Sequence, residues 1–267
     1  MPGVRPAAVA GRFYPADPAA LADEVDRLLE AARPGPHAAR PVAAIAPHAG
    51  YRYSGAVAAE SWAHVARVRD DIRRVLLLGP AHYAPLRGMA VPAADAFATP
   101  LGAVVVDADA RSVATELPDV RVDDVPHGPE HSLETQLPFL QRTLAGDVRV
   151  LPVLVGVTAP AVASRLVAAL LGDDTVAVVS TDLSHYLDRR TAERRDRRTA
   201  DAIVAGDESA VGADDACGSR PLRGLLHLVA ERRLDVELLR LATSPDVGAD
   251  PGRVVGYGAF LVHARGR

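Results

Sequence analysis

Short, continuously apolar segments alternate with longer amphipathic segments along this chain of 267 residues. Strands that are apolar along their whole length are typical of a sheet covered by helices on both faces. The pattern predicts strands over 42–46, 75–78, 103–106, 148–155, 176–180, 236–241 and 254–262. It predicts helices over 18–32, 54–67, 108–116, 132–144, 160–171, 190–205 and 219–232. We therefore expect a single α/β domain over residues 1–267, an α/β/α sandwich around a central mixed, mostly buried sheet.

Composition excludes several classes of chemistry. All 30 basic residues are Arg, and the chain contains neither Lys nor Asn. Schiff-base enzymes, P-loop binding through a lysine and N-glycosylation are therefore excluded. The net charge is −4 with both signs interspersed, so we expect no nucleic-acid partner and no anionic membrane.

Redox and targeting features indicate a cytoplasmic protein. The single cysteine cannot form an internal disulfide, which suits a reducing compartment. The N-terminus carries Arg5 and Arg12 but no apolar stretch, so we expect no signal peptide. The longest apolar stretch contains Pro152, Gly156 and Pro160, so we expect no membrane span.

A histidine follows three of the predicted strands. His48 follows the strand over 42–46, His82 the strand over 75–78, and His185 the strand over 176–180. Each histidine alone could cap a loop, but if the strands are parallel all three converge on the edge of the sheet where ligands bind. Neutral imidazole is the commonest metal ligand, and Asp182 could orient or join such ligands.

Two further segments carry candidate functional residues. Cys217 precedes a predicted helix, whose dipole is expected to lower the pKa of the thiol and favour a metal ligand or a nucleophile. The alternative is a small buried hydrophobic residue. His131 and Glu134 open another predicted helix, and their spacing suits a metal half-site, an acid–base pair or a polar helix start. Five tyrosines near these motifs predict a Tyr-lined pocket: Tyr14, Tyr51, Tyr53, Tyr83 and Tyr186.

Seven motifs together resemble those of one known family. They are GRFYP (11–15), APHAGYRYSG (46–55), GPAHY (79–83), EHSLETQLPFL (130–140), PVLVG (152–156), STDLSHY (180–186) and ACGSRPL (216–222). In this order they resemble the Memo family, whose prokaryotic members are often called AmmeMemoRadiSam system protein B. The resemblance implies a fold similar to the class III extradiol (LigB-like) dioxygenases.

The resemblance also implies a mononuclear metal site. His48, His82 and Cys217 would be the ligands, with one iron (Fe2+) or copper ion per chain. Glutamate stands in the dioxygenases where Cys217 stands here, and a thiolate ligand makes a site softer and favours copper(I).

Catalytic residues are expected in the same pocket. The resemblance implies that Asp182 and His185 line it, and we add His131 from its own segment. The resulting hypothesis is redox or non-heme dioxygenase-like chemistry on an unknown small-molecule or peptide substrate. Two alternatives are a cysteine-dependent hydrolase or amidase that uses Cys217, and a non-catalytic module that binds a peptide or partner. The family name implies a pathway link to an AMMECR1-like protein and a radical SAM protein.

Overall fold

The apolar and amphipathic segments form strands and helices in the predicted order. The computed structural model describes residues 3–32, 40–144 and 146–265. The strands in these ranges are β1 (Val4–Arg5), β2 (Pro41–Ala46), β3 (Arg74–Pro80), β4 (Met89–Val91), β5 (Ala96–Thr99), β6 (Gly102–Val105), β7 (Val120–Val122), β8 (Arg149–Val155), β9 (Thr175–Ser180), β10 (His185–Leu187), β11 (Leu234–Thr243) and β12 (Val254–Ala264). The helices are α1 (Pro18–Ala31), α2 (Tyr51–Val65), α3 (Ala108–Thr115), α4 (Leu137–Thr143), α5 (Pro160–Leu170), α6 (Arg189–Ala205) and α7 (Ser219–Arg232).

The predicted elements are all present, and two differences have physical reasons. The helix expected over 132–144 begins later, with a 3₁₀ turn at Glu134–Gln136 before α4. Pro138 lies in the first turn of α4, and because proline is disfavoured in the interior of an α-helix, the helix begins just before it. Five strands were not predicted: β1, β4, β5, β7 and β10. Each is two to four residues long, too short for hydrophobic periodicity to reveal.

Nine strands form one mixed sheet. Their order is β10, β12, β2, β9, β3, β8, β4 and β7, with β11 also paired to β12. The four neighbours β2, β9, β3 and β8 run parallel, whereas β12 and β4 run antiparallel to this group. All six residues of β9 are buried, as are the last six of β3. The expected mixed, mostly buried sheet is confirmed.

Helices cover both faces of this sheet. The connection from β2 through α2 to β3 crosses the sheet in one direction, and that from β8 through α5 to β9 crosses it in the other. Right-handed crossovers place two such helices on opposite faces. Helices α1 and α4 pack beside α2, whereas α7 packs against α5. In the part of the chain that the structure describes, no helix has the length and hydrophobicity to cross a membrane.

A buried ion pair holds the N-terminal segment against the rest of the domain. Glu134 is fully buried, and its Oε2 lies 2.5 Å from Nη1 of Arg5, which is 6% exposed. Glu134 also accepts hydrogen bonds from the backbone N–H groups of Ala8 and Val9 and from the hydroxyl of Tyr14. Both carboxylate oxygens therefore have partners, which is the condition for burying a charge without a large cost.

Replacing Arg5 tests this ion pair. Arg5→Ala leaves the buried carboxylate of Glu134 without its counter-charge, and we expect the free energy of unfolding to fall by about 3–5 kcal/mol. Denaturant titration of the full chain measures the change. Arg27→Ala, which removes an exposed arginine from α1, is the control and should change stability by no more than about 0.5 kcal/mol. A loss below about 1 kcal/mol for Arg5→Ala would contradict the prediction.

Candidate metal centre

Three parallel strands carry candidate functional side chains to one edge of the sheet. The last residues of β2 and β9, Ala46 and Ser180, face each other, and β3 continues beside β9. The side chains expected to be functional follow two residues after each strand end: His48 after β2, Asp182 after β9 and His82 after β3. The predicted meeting of His48 and His82 at this edge is confirmed by their ring centroids, which are 5.2 Å apart.

Three histidines form a group that could hold a metal ion. One donor atom from each of His48, His82 and His131 lies within 4.8 Å of the others. The rings of His82 and His131 stack with centroids 4.8 Å apart, and His48 meets the ring of His131 edge-on. Burial and the neighbouring histidines lower the pKa of His48 to about 3 and that of His131 to about 4. Both imidazoles are therefore neutral near pH 7, which is the form that binds metal ions.

The segment that carries His131 lies directly against β3. A Cβ on Gly79 would lie 2.7 Å from Cδ2 of Leu133 and 2.9 Å from Oγ of Ser132, so a larger residue there would require these side chains to move. The hydroxyl of Ser132 donates a hydrogen bond to the carbonyl of Pro80, 3.0 Å away. Glu134 faces away from the site, toward Arg5 and Tyr14, so His131 and Glu134 form neither a metal half-site nor an acid–base pair.

Glu130 is a buried carboxylate that the sequence reasoning did not identify. Its oxygens lie 2.6 Å from the backbone nitrogen of His82 and 2.9 Å from Nδ1 of the same residue. They also accept hydrogen bonds from the backbone N–H groups of His131 and Ser132. Burial alone would raise the pKa of Glu130, but the hydrogen bonds and charge of His82 hold it at about 2. The carboxylate is therefore ionised. By binding Nδ1 it orients the ring of His82 so that Nε2 is the nitrogen that could bind a metal ion. Its position directly before a histidine, in EHSLE, was the only signal in the sequence.

Cys217 contacts His48 from the start of α7. Its Sγ lies 3.2 Å from Nε2 of His48 and accepts a hydrogen bond from the backbone N–H of Asp182, 3.3 Å away. Burial, and then the charge of Asp182, raise the pKa of the Cys217 thiol to about 12. The expectation of a lowered pKa was wrong, because desolvation of the thiolate outweighs the dipole of α7.

Asp182 holds the loop that carries His48. Its Oδ1 accepts a hydrogen bond of 2.7 Å from the backbone N–H of His48, and burial raises the pKa of the carboxyl. Nδ1 of His48 instead lies 3.1 Å from the hydroxyl of Ser180. Asp182 therefore positions the backbone of His48, and its catalytic role stays a prediction.

His185 lies near the site but outside the histidine group. It begins β10, which pairs with β12, and its Nδ1 lies 2.8 Å from the carbonyl of Leu183. Four residues separate His185 from the end of β9, so His185 lies farther along the chain than the residues at the strand end. Of the three histidines expected to converge, only His48 and His82 belong to the group. Its charge still affects the pKa values of His48 and Asp182.

The tyrosines near the motifs divide into two sets. Tyr14 and Tyr51 are buried, and their hydroxyls donate to Glu134 and to the carbonyl of Thr135. The exposed tyrosines are Tyr53, Tyr83 and Tyr186. The hydroxyl of Tyr83 lies 3.2 Å from Nδ1 of His131, so this ring stands beside the histidine group.

Comparison with known proteins finds one family over nearly the whole chain. The family model described as Memo-like protein matches residues 5–261. A MEMO1 family protein of Methanopyrus kandleri is 35% identical over 280 residues, covering 96% of this chain and 98% of the relative. A MEMO1 family protein of Thermotoga maritima is 35% identical over 277 residues, covering 95% of this chain and 97% of the relative.

One solved structure has a similar fold. It is described as uncharacterized protein JW3007 from Escherichia coli K12, with a TM-score of 0.52 and 13% sequence identity. The alignment covers 83% of this chain and 99% of that chain, and at this identity it shows likeness of fold alone. Family membership rests on the sequence matches, which extend over nearly the whole chain. On that evidence the chain belongs to the Memo family.

Proposed function

We propose that this Memo family member binds one iron or copper ion at the carboxyl edge of its sheet and uses it for redox chemistry of the non-heme dioxygenase type. The observation that carries the proposal is the group of three imidazole donors, His48, His82 and His131, within 4.8 Å of one another. The donors suit such an ion because lowered pKa values keep His48 and His131 neutral. Partners also fix Nδ1 of His82 and Nδ1 of His48.

The proposed ligands are His48, His82 and Cys217, as the family resemblance implies. Tetrahedral sites with nitrogen and sulfur ligands place the two donor atoms about 3.6 Å apart. The distance of 3.2 Å between Sγ of Cys217 and Nε2 of His48 is close to that separation. His131 lies near enough to be an additional metal ligand. Its Nδ1 lies beside the hydroxyl of Tyr83.

An iron or copper ion would supply electron transfer or Lewis acidity, which the side chains alone lack. The chain's own residues would hold the substrate and fix the ligands. Glu130 orients His82, and Asp182 fixes the backbone of His48. The exposed hydroxyl of Tyr83, beside His131, can bind a polar group of a small molecule or peptide.

Metal content tests the ligand set. We expect anaerobically purified wild type to carry about one iron or copper ion per chain by elemental analysis. His48→Ala should abolish binding, and Cys217→Ala should weaken it at least about tenfold because each removes a ligand. His227→Ala is the matched control, since His227 pairs with Glu208 on the surface and should leave the metal content unchanged.

Two results would contradict this ligand set in different ways. A wild-type chain that stays metal-free after anaerobic reconstitution would overturn the metal site altogether. Loss of metal in His131→Ala together with full occupancy in Cys217→Ala would show a three-histidine site in place of the one proposed.

A cysteine hydrolase is the second candidate, because Sγ of Cys217 and Nε2 of His48 are within hydrogen-bonding distance. Two observations weigh against it. The pKa of the thiol is raised to about 12, whereas a nucleophilic cysteine needs a lowered one. Asp182 binds the backbone of His48 and leaves the ring to Ser180, so no carboxylate orients the base.

Alkylation of Cys217 separates the two candidates. We expect iodoacetamide to label the metal-free chain slowly, and bound iron or copper to slow the labelling further, at least about tenfold, because a coordinated thiolate is shielded. Mass spectrometry of the intact chain measures the rate. Rapid labelling that added metal leaves unchanged would favour the hydrolase.

Glu130→Gln tests the carboxylate that orients His82. The variant keeps the side-chain size but removes the charge and places an amide among backbone N–H donors. We expect metal affinity, measured by competition with a chelator, to fall about 10- to 100-fold. Glu30→Gln, at an exposed position of α1, should leave the affinity unchanged. Equal affinities in both variants would mean that Glu130 is only structural.

A further inference from the structure

We propose that a groove beside His82 binds the carboxylate or phosphate group of a small-molecule ligand. The groove has a volume of about 660 Å³, and its walls include Ala81, Ala84, Arg87, Arg121, Val157 and Arg220. That volume lies within the range of small-molecule sites. The identity of this ligand as the substrate rests on the proposed function, whereas anion binding by the groove does not.

The groove lies on the same edge of the sheet as the candidate metal centre. Ala81 and Ala84 flank His82 in the segment that follows β3, and Val157 follows the parallel neighbour β8. Arg220 lies in the first turn of α7, three residues after Cys217. The groove therefore shares two segments with the candidate centre: the loop after β3, which carries His82, and the start of α7, which follows Cys217. A molecule held there can extend toward His82 and Cys217.

The charge of the groove selects an anion. Three of its side chains are guanidinium groups, and none of its residues is acidic. Arg121 is paired with Asp123, but among the described residues Arg87 and Arg220 form no ion pair. A guanidinium group binds carboxylates and phosphates through two parallel hydrogen bonds. Two unpaired arginines facing one groove, in a chain of net charge −4, therefore favour an anionic group.

The wall that carries Arg87 is rigid. The backbone N–H of Gly88 donates to the carbonyl of Val157 over 2.9 Å, and the N–H of Val157 donates to the carbonyl of Leu86 over 2.8 Å. A Cβ on Gly156 would overlap the carbonyl oxygen of Leu86, so glycine permits this close backbone contact. The backbone of this wall is preformed, so ordering on ligand binding is confined to the exposed arginine side chains.

A second set of arginines provides the comparison. Arg190, Arg194, Arg197 and Arg198 lie close together, but all belong to α6, and Glu193 lies among them. Among the described residues, α6 alone lines this surface, and an acidic residue is part of it. Arg197 therefore serves as a matched control for charge.

Calorimetric titration of the full chain, as purified with its metal, tests the groove. Inorganic phosphate and acetate are titrated separately, and saturable binding of either one supports the proposal and assigns the anionic group. We expect Arg220→Gln and Arg87→Gln each to weaken binding about tenfold, since each removes a charged hydrogen-bond donor. Arg197→Gln should leave the affinity unchanged.

Three outcomes would overturn the groove: no saturable binding, an affinity equal to that of the wild type in both groove variants, or weakening by Arg197→Gln alone. Metal content is measured on the same samples to separate the two proposals. A chain without metal that still binds the anion through Arg220 would overturn the proposed function only. If the protein contains metal but Arg87→Gln and Arg220→Gln both bind the anion with the affinity of the wild type, only this inference is overturned.

Discussion

The parallel pairing of β9 between β2 and β3 determines where the candidate site lies. Backbone hydrogen bonds fix Ala46 opposite Ser180 and Leu78 opposite Val179. The three strands therefore end at similar heights, and each is followed two residues later by a candidate functional side chain. A slip of one residue would reverse the faces of a whole strand and bury polar groups in the core, so the packing of the sheet also fixes the site.

The sequence predicted the long buried strands and the two histidines that follow β2 and β3, because strand and histidine are adjacent in the chain. It expected His131 in the same pocket but did not place its ring beside those of His48 and His82, since that residue reaches the site through contacts between distant segments. Glu130 was missed for the same reason, as its partner His82 is 48 residues away. Cys217 was located correctly at a helix start, but its pKa depends on burial, which local sequence does not reveal.

Two buried carboxylates in one short segment link the N-terminus to the site. Glu130 binds His82 on one side, and Glu134 binds Arg5 on the other. Arg5 also donates a hydrogen bond of 2.6 Å to the carbonyl of Glu130. The same residue type thus has two functions, set by its partners: one carboxylate orients an imidazole, and the other anchors a strand. The N-terminal segment is therefore part of the support of the candidate metal centre.

The position of β9 in the sheet also sets the order in which the protein can assemble on the ribosome. β2 and β3 are both synthesised before β9, yet β9 lies between them in the sheet. His48 and His82 cannot become neighbours in their final register until Ser180 has emerged, and Cys217 emerges later still. Long-range strand pairing of this kind is slow to form because the intervening chain must first be closed into a loop. The candidate ligands therefore exist as a set only after most of the chain has been made, so the proposed metal ion could bind only at the end of folding.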